Sequence, residues 1–259
     1  MKAYFGLKFL LLLLLFGCND TPTPPIDLVK KAGFCLTFDD TYIKNWNNIL
    51  PLLDSNDVKA TFFITQIYKI SKEEIDLLKT FQDKGHEIGC HGWQHIDALK
   101  YLENHTLQNY FNIEIKPALD FMNNINLYPT SFSYPNGYNC DSLNSCLLNT
   151  FNVIRDITDE QRRPLEKNIK DIDEICFCFD KQRVISSLGI DKNFNISLDM
   201  IEEGLKRAAN KNEVIVFYSH NPVKTATVSY QIEYQYLREL FALAKKYNLK
   251  SYTFSEMIE

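Results

Sequence analysis

The sequence predicts one α/β domain in which seven or eight strand–helix units form a closed or nearly closed barrel of parallel strands. Short apolar runs alternate with amphipathic stretches from residue 33 to the end of the chain, and this order is typical of a parallel sheet. No internal linker or repeat interrupts the series, and 259 residues suit a single barrel. The chain therefore needs no second folded domain.

Each predicted strand is a short apolar run bounded by polar or turn-forming residues. The strands are expected at residues 36–38, 60–64, 86–90, 130–134, 151–155, 175–179, 214–218 and 250–253. Between residues 159 and 195 the pattern is weakest, and only the run at 175–179 stands out from charged loops.

The predicted helices fill the gaps between these strands, at residues 46–53, 71–84, 105–123, 141–149, 197–210 and 230–247. Ser71 followed three residues later by Glu74 predicts a capping box, and Gly85 predicts the C-terminal end of the same helix. Ser197 is the expected N-cap of a later helix. A short turn is expected at residues 255–258.

The first eighteen residues predict an export signal. Lys2 and Lys8 precede a leucine-rich run at residues 9–16 that is too short to indicate a spanning helix. The run ends Leu15-Phe16-Gly17-Cys18, which resembles a bacterial lipobox and implies lipidation of Cys18; the alternative is an ordinary cleaved signal. Residues 19–30 then predict a flexible, proline-stiffened tether, and residues 31–259 the folded domain. We therefore expect a domain lipid-anchored to a membrane of the bacterial cell envelope.

Charge and cysteine content narrow the function classes. The net charge of −5 and the lack of a long basic run in the folded domain argue against a nucleic-acid partner. Six cysteines remain besides Cys18, and an exported chain could oxidise them. Six cysteines allow fifteen pairings, among which the sequence does not choose; Cys140 and Cys146 are close enough in sequence to bridge a loop.

Titratable residues follow three of the predicted strands. Asp39 and Asp40 end the first strand, and His91 directly follows another, with His95 four residues later. Because the carboxyl ends of parallel strands meet at one mouth, these side chains are expected to converge there. Two imidazoles and one carboxylate make a three-ligand site with open positions, typical of catalytic zinc or a similar divalent ion.

His220 follows the apolar strand at residues 214–218 and is expected at the same mouth. A core histidine bonded to a backbone carbonyl is the alternative explanation for an isolated histidine. Its position at a third equivalent strand end favours a role in chemistry.

These motifs resemble those of the polysaccharide deacetylases, carbohydrate esterase family four. Thr37-Phe38-Asp39-Asp40, His91 with His95, and Ser219-His220 look like that family's first, second and fifth motifs, in the right order and spacing. The resemblance runs from about residue 33 to residue 254. It implies a single distorted (β/α) barrel of about seven parallel strands that hydrolyses N- or O-linked acetyl groups of a carbohydrate polymer or oligosaccharide.

The resemblance also implies a role for each motif residue. Asp40, His91 and His95 would hold a divalent metal, Zn²⁺ first and Co²⁺, Ni²⁺ or Mn²⁺ as alternatives. Asp39 would be the general base that takes a proton from water, and His220 the general acid that protonates the leaving amine. A cationic imidazole suits the second task near neutral pH.

The third motif departs from the family pattern of Arg-x-Pro-Tyr-Gly. Here the stretch is Ser133-Tyr134-Pro135-Asn136-Gly137, so the turn persists, and the backbone N–H of Asn136 is expected to serve the oxyanion. Ser133 replaces the arginine that would orient the catalytic aspartate. Arg155 is the candidate replacement, and a structural or surface charge is the alternative.

Two more residues have candidate roles, the first of them by the resemblance. Asp156 is the candidate for the fourth motif. Trp93 is expected either to line the mouth and stack on a sugar or to pack over the site.

The sequence thus favours a monomeric, metal-dependent glycan deacetylase whose partner is an acetylated glycan. Two alternatives remain open. One is a carbohydrate-binding envelope lipoprotein that keeps the fold with weak or no activity, motivated by the missing arginine. The other is a metal-dependent hydrolase of a different amide or ester.

Overall fold

Seven parallel strands close into a barrel, as the sequence predicts. The computed structural model describes Met1, residues 30–162 and residues 167–259. The predicted signal peptide with Cys18, and the tether up to residue 29, lie outside the described residues. The barrel belongs to a compact unit that runs from residue 31 to residue 259. Within the described part of the chain, no helix combines the length and the apolarity that a membrane span requires.

The described residues form eleven strands. They are β1 (Gly33–Asp40), β2 (Thr61–Ile64), β3 (Glu87–Cys90), β4 (Ser131–Ser133), β5 (Val153–Ile157), β6 (Cys176–Phe177), β7 (Val184–Gly189), β8 (Val214–Ser219), β9 (Asn221–Val223), β10 (Gln231–Glu233) and β11 (Lys250–Tyr252).

The barrel strands follow the order β1-β2-β3-β4-β5-β7-β8, and β8 pairs with β1 to close the ring. One edge of β1 is shared, because its first residues pair with β11 and its last residues pair with β2. β6 is antiparallel to β8, and β9 with β10 forms a separate two-stranded ribbon. The barrel is therefore closed but irregular.

Eight α-helices accompany the strands in the described residues. They are α1 (Ile43–Ser55), α2 (Lys72–Asp83), α3 (Ala98–Leu102), α4 (Leu107–Tyr110), α5 (Lys116–Asn124), α6 (Asp141–Leu147), α7 (Leu198–Lys211) and α8 (Tyr234–Lys246). The predicted capping box is present at the start of α2, where Ser71 and Glu74 bond reciprocally. Ser197 caps α7 by accepting a hydrogen bond from the backbone of Met200.

The structure departs from the predicted elements most clearly at three places. The helix expected at 105–123 is divided into α4 and α5 by a π-helical turn at Phe111–Ile115. The strand expected at 175–179 is only the two-residue β6 and lies outside the ring. The strand that completes the ring is β7, which the sequence analysis missed because two serines and a glycine dilute its apolar pattern.

The alternation of β1 determines which of its side chains reach the barrel interior. Phe34, Leu36 and Phe38 belong to the large core cluster that includes residues of the surrounding helices. Cys35 lies in a second cluster with residues of the other barrel strands, and Asp39 bonds to a residue of β5. Because neighbouring side chains of a strand point to opposite faces, Asp39 is placed inside the barrel, at its carboxyl-terminal end.

The six cysteines of the described residues carry free thiols. Cys35 and Cys90 are fully buried in barrel strands, where each packs as a small apolar side chain.

Candidate active site

The ends of the barrel strands surround a cleft of about 680 Å³ at the predicted mouth. Asp39, Asp40, His91, His95 and His220 all line it. The carboxyl ends of β1, β3 and β8 supply these residues directly or through the loop that follows. The convergence expected from the strand ends is therefore present.

Asp40, His91 and His95 offer three ligand atoms that lie within 4.8 Å of one another. Oδ1 of Asp40 is 3.5 Å from Nε2 of His95 and 4.0 Å from Nε2 of His91. A tetrahedral ion with bonds of about 2.1 Å separates its ligand atoms by about 3.4 Å. Two imidazoles and a carboxylate at these distances therefore fit a divalent cation such as Zn²⁺ with little adjustment.

His91 is in the protonation state that a metal ligand needs. Its Nδ1 lies 2.8 Å from the carbonyl oxygen of Ser133, so an Nδ1–H donates there and leaves the Nε2 lone pair for an ion. Burial lowers the pKa of His91 to about 4, although Asp39 acts in the opposite direction. The ring is therefore neutral near neutral pH, as metal binding requires.

Asp39 sits beside this trio as a buried carboxylate with one engaged oxygen. Its Oδ2 accepts a 2.5 Å hydrogen bond from Nη2 of Arg155, and its Oδ1 has no hydrogen-bond partner within the described part of the chain. Burial by itself would raise the pKa of Asp39, but Arg155, with smaller contributions from His91 and His220, outweighs burial and holds the pKa below its usual value. Asp39 is therefore ionised, with Oδ1 available to accept a proton.

Arg155 is buried in the barrel and fixed by three polar side chains. Besides Asp39, its Nη1 donates to Oγ1 of Thr37 at 3.0 Å, and its Nε donates to Oγ of Ser133 at 3.1 Å. The ring of Tyr218 lies 4.6 Å from its guanidinium carbon. The short Ser133 side chain thus leaves room for an arginine that enters from the neighbouring strand β5 and contacts Asp39.

His220 is paired with Asp191, a residue outside the predicted site. Its Nδ1 lies 2.6 Å from Oδ2 of Asp191, while Oδ1 of Asp191 accepts from the backbone N–H of His220 and from Oγ of Ser219. Burial would lower the pKa of His220, but the hydrogen bond to Asp191 and its negative charge raise it above the ordinary value. A protonated His220 is therefore stabilised at the cleft.

Asp191, rather than Asp156, is the carboxylate that pairs with His220. Oδ1 of Asp156 accepts from the backbone N–H of Ile157, its neighbour in the chain. Asp191 follows β7 by two residues, so its position was hidden because β7 itself was not predicted. A predicted strand at 184–189 would have pointed to Asp191 as another strand-end carboxylate.

The third-motif turn is preserved and reaches the cleft. Pro135–Gly137 forms a 3-10 turn in which Asn136 adopts a left-handed backbone with φ of 60°. Asn136 and Tyr134 line the cleft, while Tyr134 is buried and donates from its hydroxyl to Oδ1 of Asn144. Pro135 is buried within the turn and is not among the residues that line the cleft, which corrects its assignment to the substrate site.

Trp93 is not among the residues that line the cleft, which corrects its assignment to the substrate mouth. Its indole packs against the rings of Tyr68, at 4.4 Å, and Phe121, at 5.9 Å, because these aromatic surfaces bury one another. Tyr138 and Tyr230 line the cleft instead and are 41% and 51% exposed. No sequence pattern distinguished these two tyrosines from the other twelve.

Comparison with known proteins identifies one family. Residues 29–149 match a family model described as polysaccharide deacetylase. Over 65 residues the chain is 40% identical to a chitin deacetylase from Pestalotiopsis sp, a match that covers 25% of this chain and 22% of that protein. The chain spans about a quarter of the length of the curated relatives it matches.

Solved structures extend the likeness of fold to nearly the whole chain. The chitin deacetylase from Colletotrichum lindemuthianum aligns with a TM-score of 0.58 and 16% identity, over 89% of this chain and 88% of that one. A CE4 family pseudoenzyme from Bacillus anthracis aligns with a TM-score of 0.56 and 16% identity, over 88% of this chain and 66% of that one. The fold is thus shared by an enzyme and by a pseudoenzyme, and the residues of the cleft must carry any argument about activity.

Proposed function

Because the chain belongs to the polysaccharide deacetylase family, we propose that it removes acetyl groups from an acetylated glycan by hydrolysis. One observation carries the proposal. A buried carboxylate with a free oxygen, Asp39, and an imidazole paired to Asp191, His220, line the same cleft as three candidate metal ligands.

Asp40, His91 and His95 would hold the divalent ion, with Zn²⁺ as the first choice and Co²⁺, Ni²⁺ or Mn²⁺ as alternatives. When bound, such an ion lowers the pKa of water from 15.7 towards about 7 and polarises the acetyl carbonyl. The neutral ring of His91 and its bond to the carbonyl of Ser133 support this assignment.

Asp39 acts as the general base. Its Oδ1 accepts one proton of the attacking water as the water oxygen adds to the acetyl carbon. Arg155 keeps this carboxylate ionised and holds it through Oδ2, so that only Oδ1 is open to the reaction.

His220 acts as the general acid. Its Nδ1 is engaged by Asp191, which leaves Nε2 to deliver a proton to the leaving nitrogen as the carbon–nitrogen bond breaks. Asp191 also raises the pKa of the ring, so the acid form persists to higher pH than that of an ordinary histidine. Acetate and a free amine are the products; an ester substrate would release an alcohol.

The oxyanion that develops on the carbonyl is proposed to lie at the third-motif turn. The left-handed conformation of Asn136 makes its backbone N–H a candidate donor. Tyr134 lines the cleft beside this turn, and the buried Pro135 belongs to the turn itself.

The direct test is acetate release from acetylated chitooligosaccharides, peptidoglycan and acetyl-xylan by the zinc-loaded protein. Release from one of these that is lost in Asp39→Asn supports the proposal. Zinc binding with glycan binding but no acetate from any substrate would instead support the carbohydrate-binding alternative. Acetate from simple esters or amides alone would favour a hydrolase outside glycan chemistry.

We also propose that the protein is lipid-anchored through Cys18 in a bacterial envelope and acts as a monomer. The leucine-rich run and the lipobox-like ending of residues 1–18 support the anchor. In a bacterial host, Cys18→Ser should abolish labelling by a radioactive fatty acid and release the protein from the membrane fraction. Membrane retention without labelling would contradict lipidation.

A further inference from the structure

The loop that carries the two histidines has an unusual backbone. Gly92 has φ of 84° and His95 has φ of 67°, so two of its five residues are left-handed. For a residue with a side chain this conformation is strained and persists only where the surroundings impose it. The geometry of the candidate metal ligands therefore depends on whatever holds this loop.

The side chain of Glu114 holds this histidine loop through hydrogen bonds to its backbone. Its Oε2 accepts the backbone N–H of Gln94 at 2.8 Å, and its Oε1 accepts the backbone N–H of Ile96 at 3.0 Å. The backbone N–H of His95 lies close enough to lower the pKa of the same carboxyl group. Three successive amides around His95 thus converge on one side chain, as anion-binding backbone nests do.

The main chain of Glu114 adds a fourth contact, because its carbonyl oxygen accepts the N–H of Trp93 at 2.9 Å. The lack of a side chain at Gly92 lets the Glu114 carboxylate approach the loop closely. A Cβ built at Gly92 would lie 2.2 Å from Oε1 of Glu114, so the carboxylate occupies the space that any other residue would need.

Glu114 is fully buried and lies in the π-helical turn between α4 and α5. A buried carboxylate is costly unless hydrogen bonds compensate it, and here the loop's own amides offset part of that cost. π-helical turns occur frequently at functional sites, since the extra residue redirects a side chain. The side chain redirected here contacts the histidine loop.

We propose that Glu114 is a positioning residue that sets the geometry of His95, and through the loop that of His91, for a divalent cation. This inference rests on the proposed function, because it takes the two histidines as metal ligands. Glu114 itself is no ligand; it acts through the backbone of the loop. The metal affinity of the protein, measured without substrate, is the property that Glu114 controls.

The test is zinc affinity of the apoprotein, measured by competition with a chromophoric chelator. In Glu114→Gln the amide group cannot accept hydrogen bonds through both of its atoms, so the loop loses at least one of its anchors. We expect zinc to bind about 10- to 100-fold more weakly, as is typical when a residue that orients a ligand is changed. Saturating zinc should then restore most of kcat.

Glu213→Gln is the matched control. Glu213 is also a buried glutamate, but its carboxylate pairs with Arg207 and makes no contact with the histidine loop. Loss of the Glu213 carboxylate should lower the unfolding temperature while leaving zinc affinity within about threefold of that of the parent protein. Equal weakening of zinc binding in both variants would mean that Glu114 is merely structural and would overturn the inference.

Gly92→Ala tests the same contact from the other side, and it is the deciding variant if Glu114→Gln does not fold. The added methyl group displaces the carboxylate and should weaken zinc binding in the same direction. Zinc affinity within about threefold of the parent in either folded variant would overturn the inference. A parent protein that binds zinc normally but releases no acetate would sink the proposed function and leave this inference standing. A parent protein that binds no zinc would contradict both the proposed function and this inference.

Discussion

Arg155 donates from Nη2 to Oδ2 of Asp39 at 2.5 Å, although 116 residues separate them in the chain. The two side chains meet inside the barrel, where Arg155 is 1% exposed and Asp39 is 3% exposed. A charge pair this deeply buried is strongly coupled, because little water screens it. The ionisation of Asp39 therefore depends on Arg155.

Arg155→Lys should move the acid limb of kcat/KM to higher pH. Lysine keeps the charge but lacks the planar fork that contacts Asp39, Thr37 and Ser133 together. Weaker stabilisation of the carboxylate lets the pKa of Asp39 rise, so the base is protonated at a higher pH than in the parent. A pH–rate profile identical to that of the parent would contradict this coupling.

A rescue experiment tests the same contact between a guanidinium and Asp39. Arg155→Ser should be nearly inactive, whereas Arg155→Ser combined with Ser133→Arg should recover part of kcat/KM. Ser133 already contacts the guanidinium, so an arginine introduced there starts next to Asp39. No recovery in a folded double variant would show that the guanidinium must enter from β5.

Asp39→Asn should lower kcat by about a hundredfold or more, because the amide cannot accept the proton from water. Zinc content should stay unchanged, since Asp40, His91 and His95 remain in place. Metal analysis and acetate release measured on the same preparation check both statements. Full turnover in this variant would remove Asp39 from the role of base.

Asp191→Asn should move the alkaline limb of kcat to lower pH. The acid needs a protonated His220, and the Asp191 carboxylate raises the pKa of that ring in spite of burial. Activity in the parent therefore persists until the pH rises through this raised pKa, and without the carboxylate the loss begins earlier. An unshifted alkaline limb would mean that another group sets it.

His91→Ala should abolish stoichiometric zinc binding, because it removes one of three ligands. His105→Ala is the matched control, since His105 is an exposed histidine that stacks on Tyr101 and lies outside the metal trio. Zinc per protein, measured after dialysis, should fall only in the first variant. Retention of one tightly bound zinc in both would remove His91 from the ligand set.

We expect the free energy of unfolding to fall as the pH falls from about 6.5 to about 4, because the folded state keeps His86 neutral. Burial lowers the pKa of His86 to about 4, and its Nδ1 accepts the backbone N–H of Ala60, so the folded state keeps this ring neutral. The unfolded chain binds a proton near pH 6.5. Stability from this residue is therefore complete above pH 6.5 and lost on acidification.

His86→Asn should accordingly flatten the dependence of the unfolding free energy on pH in this window, although the variant is less stable at pH 7. Urea titrations at several pH values measure the slope. A slope as steep as that of the parent would assign the acid sensitivity to other groups.

The sequence by itself determined the barrel and its mouth. Alternating strands and helices favour a parallel sheet, and the carboxyl ends of parallel strands share one edge. Asp39, Asp40, His91 and His220 could therefore be brought together from their positions after apolar runs. These signals are local, since each depends only on a few neighbouring residues.

Only the tertiary structure decided which partner each of these residues has. Arg155 could be nominated from its strand, but its contact with Asp39 depends on barrel closure and on the inward face of β5. Asp191 and Glu114 contact the site from segments whose local patterns were diluted or interrupted, by serines in β7 and by a π-helical turn. Such contacts are set by three-dimensional packing between distant segments, which leaves no periodic trace in the sequence.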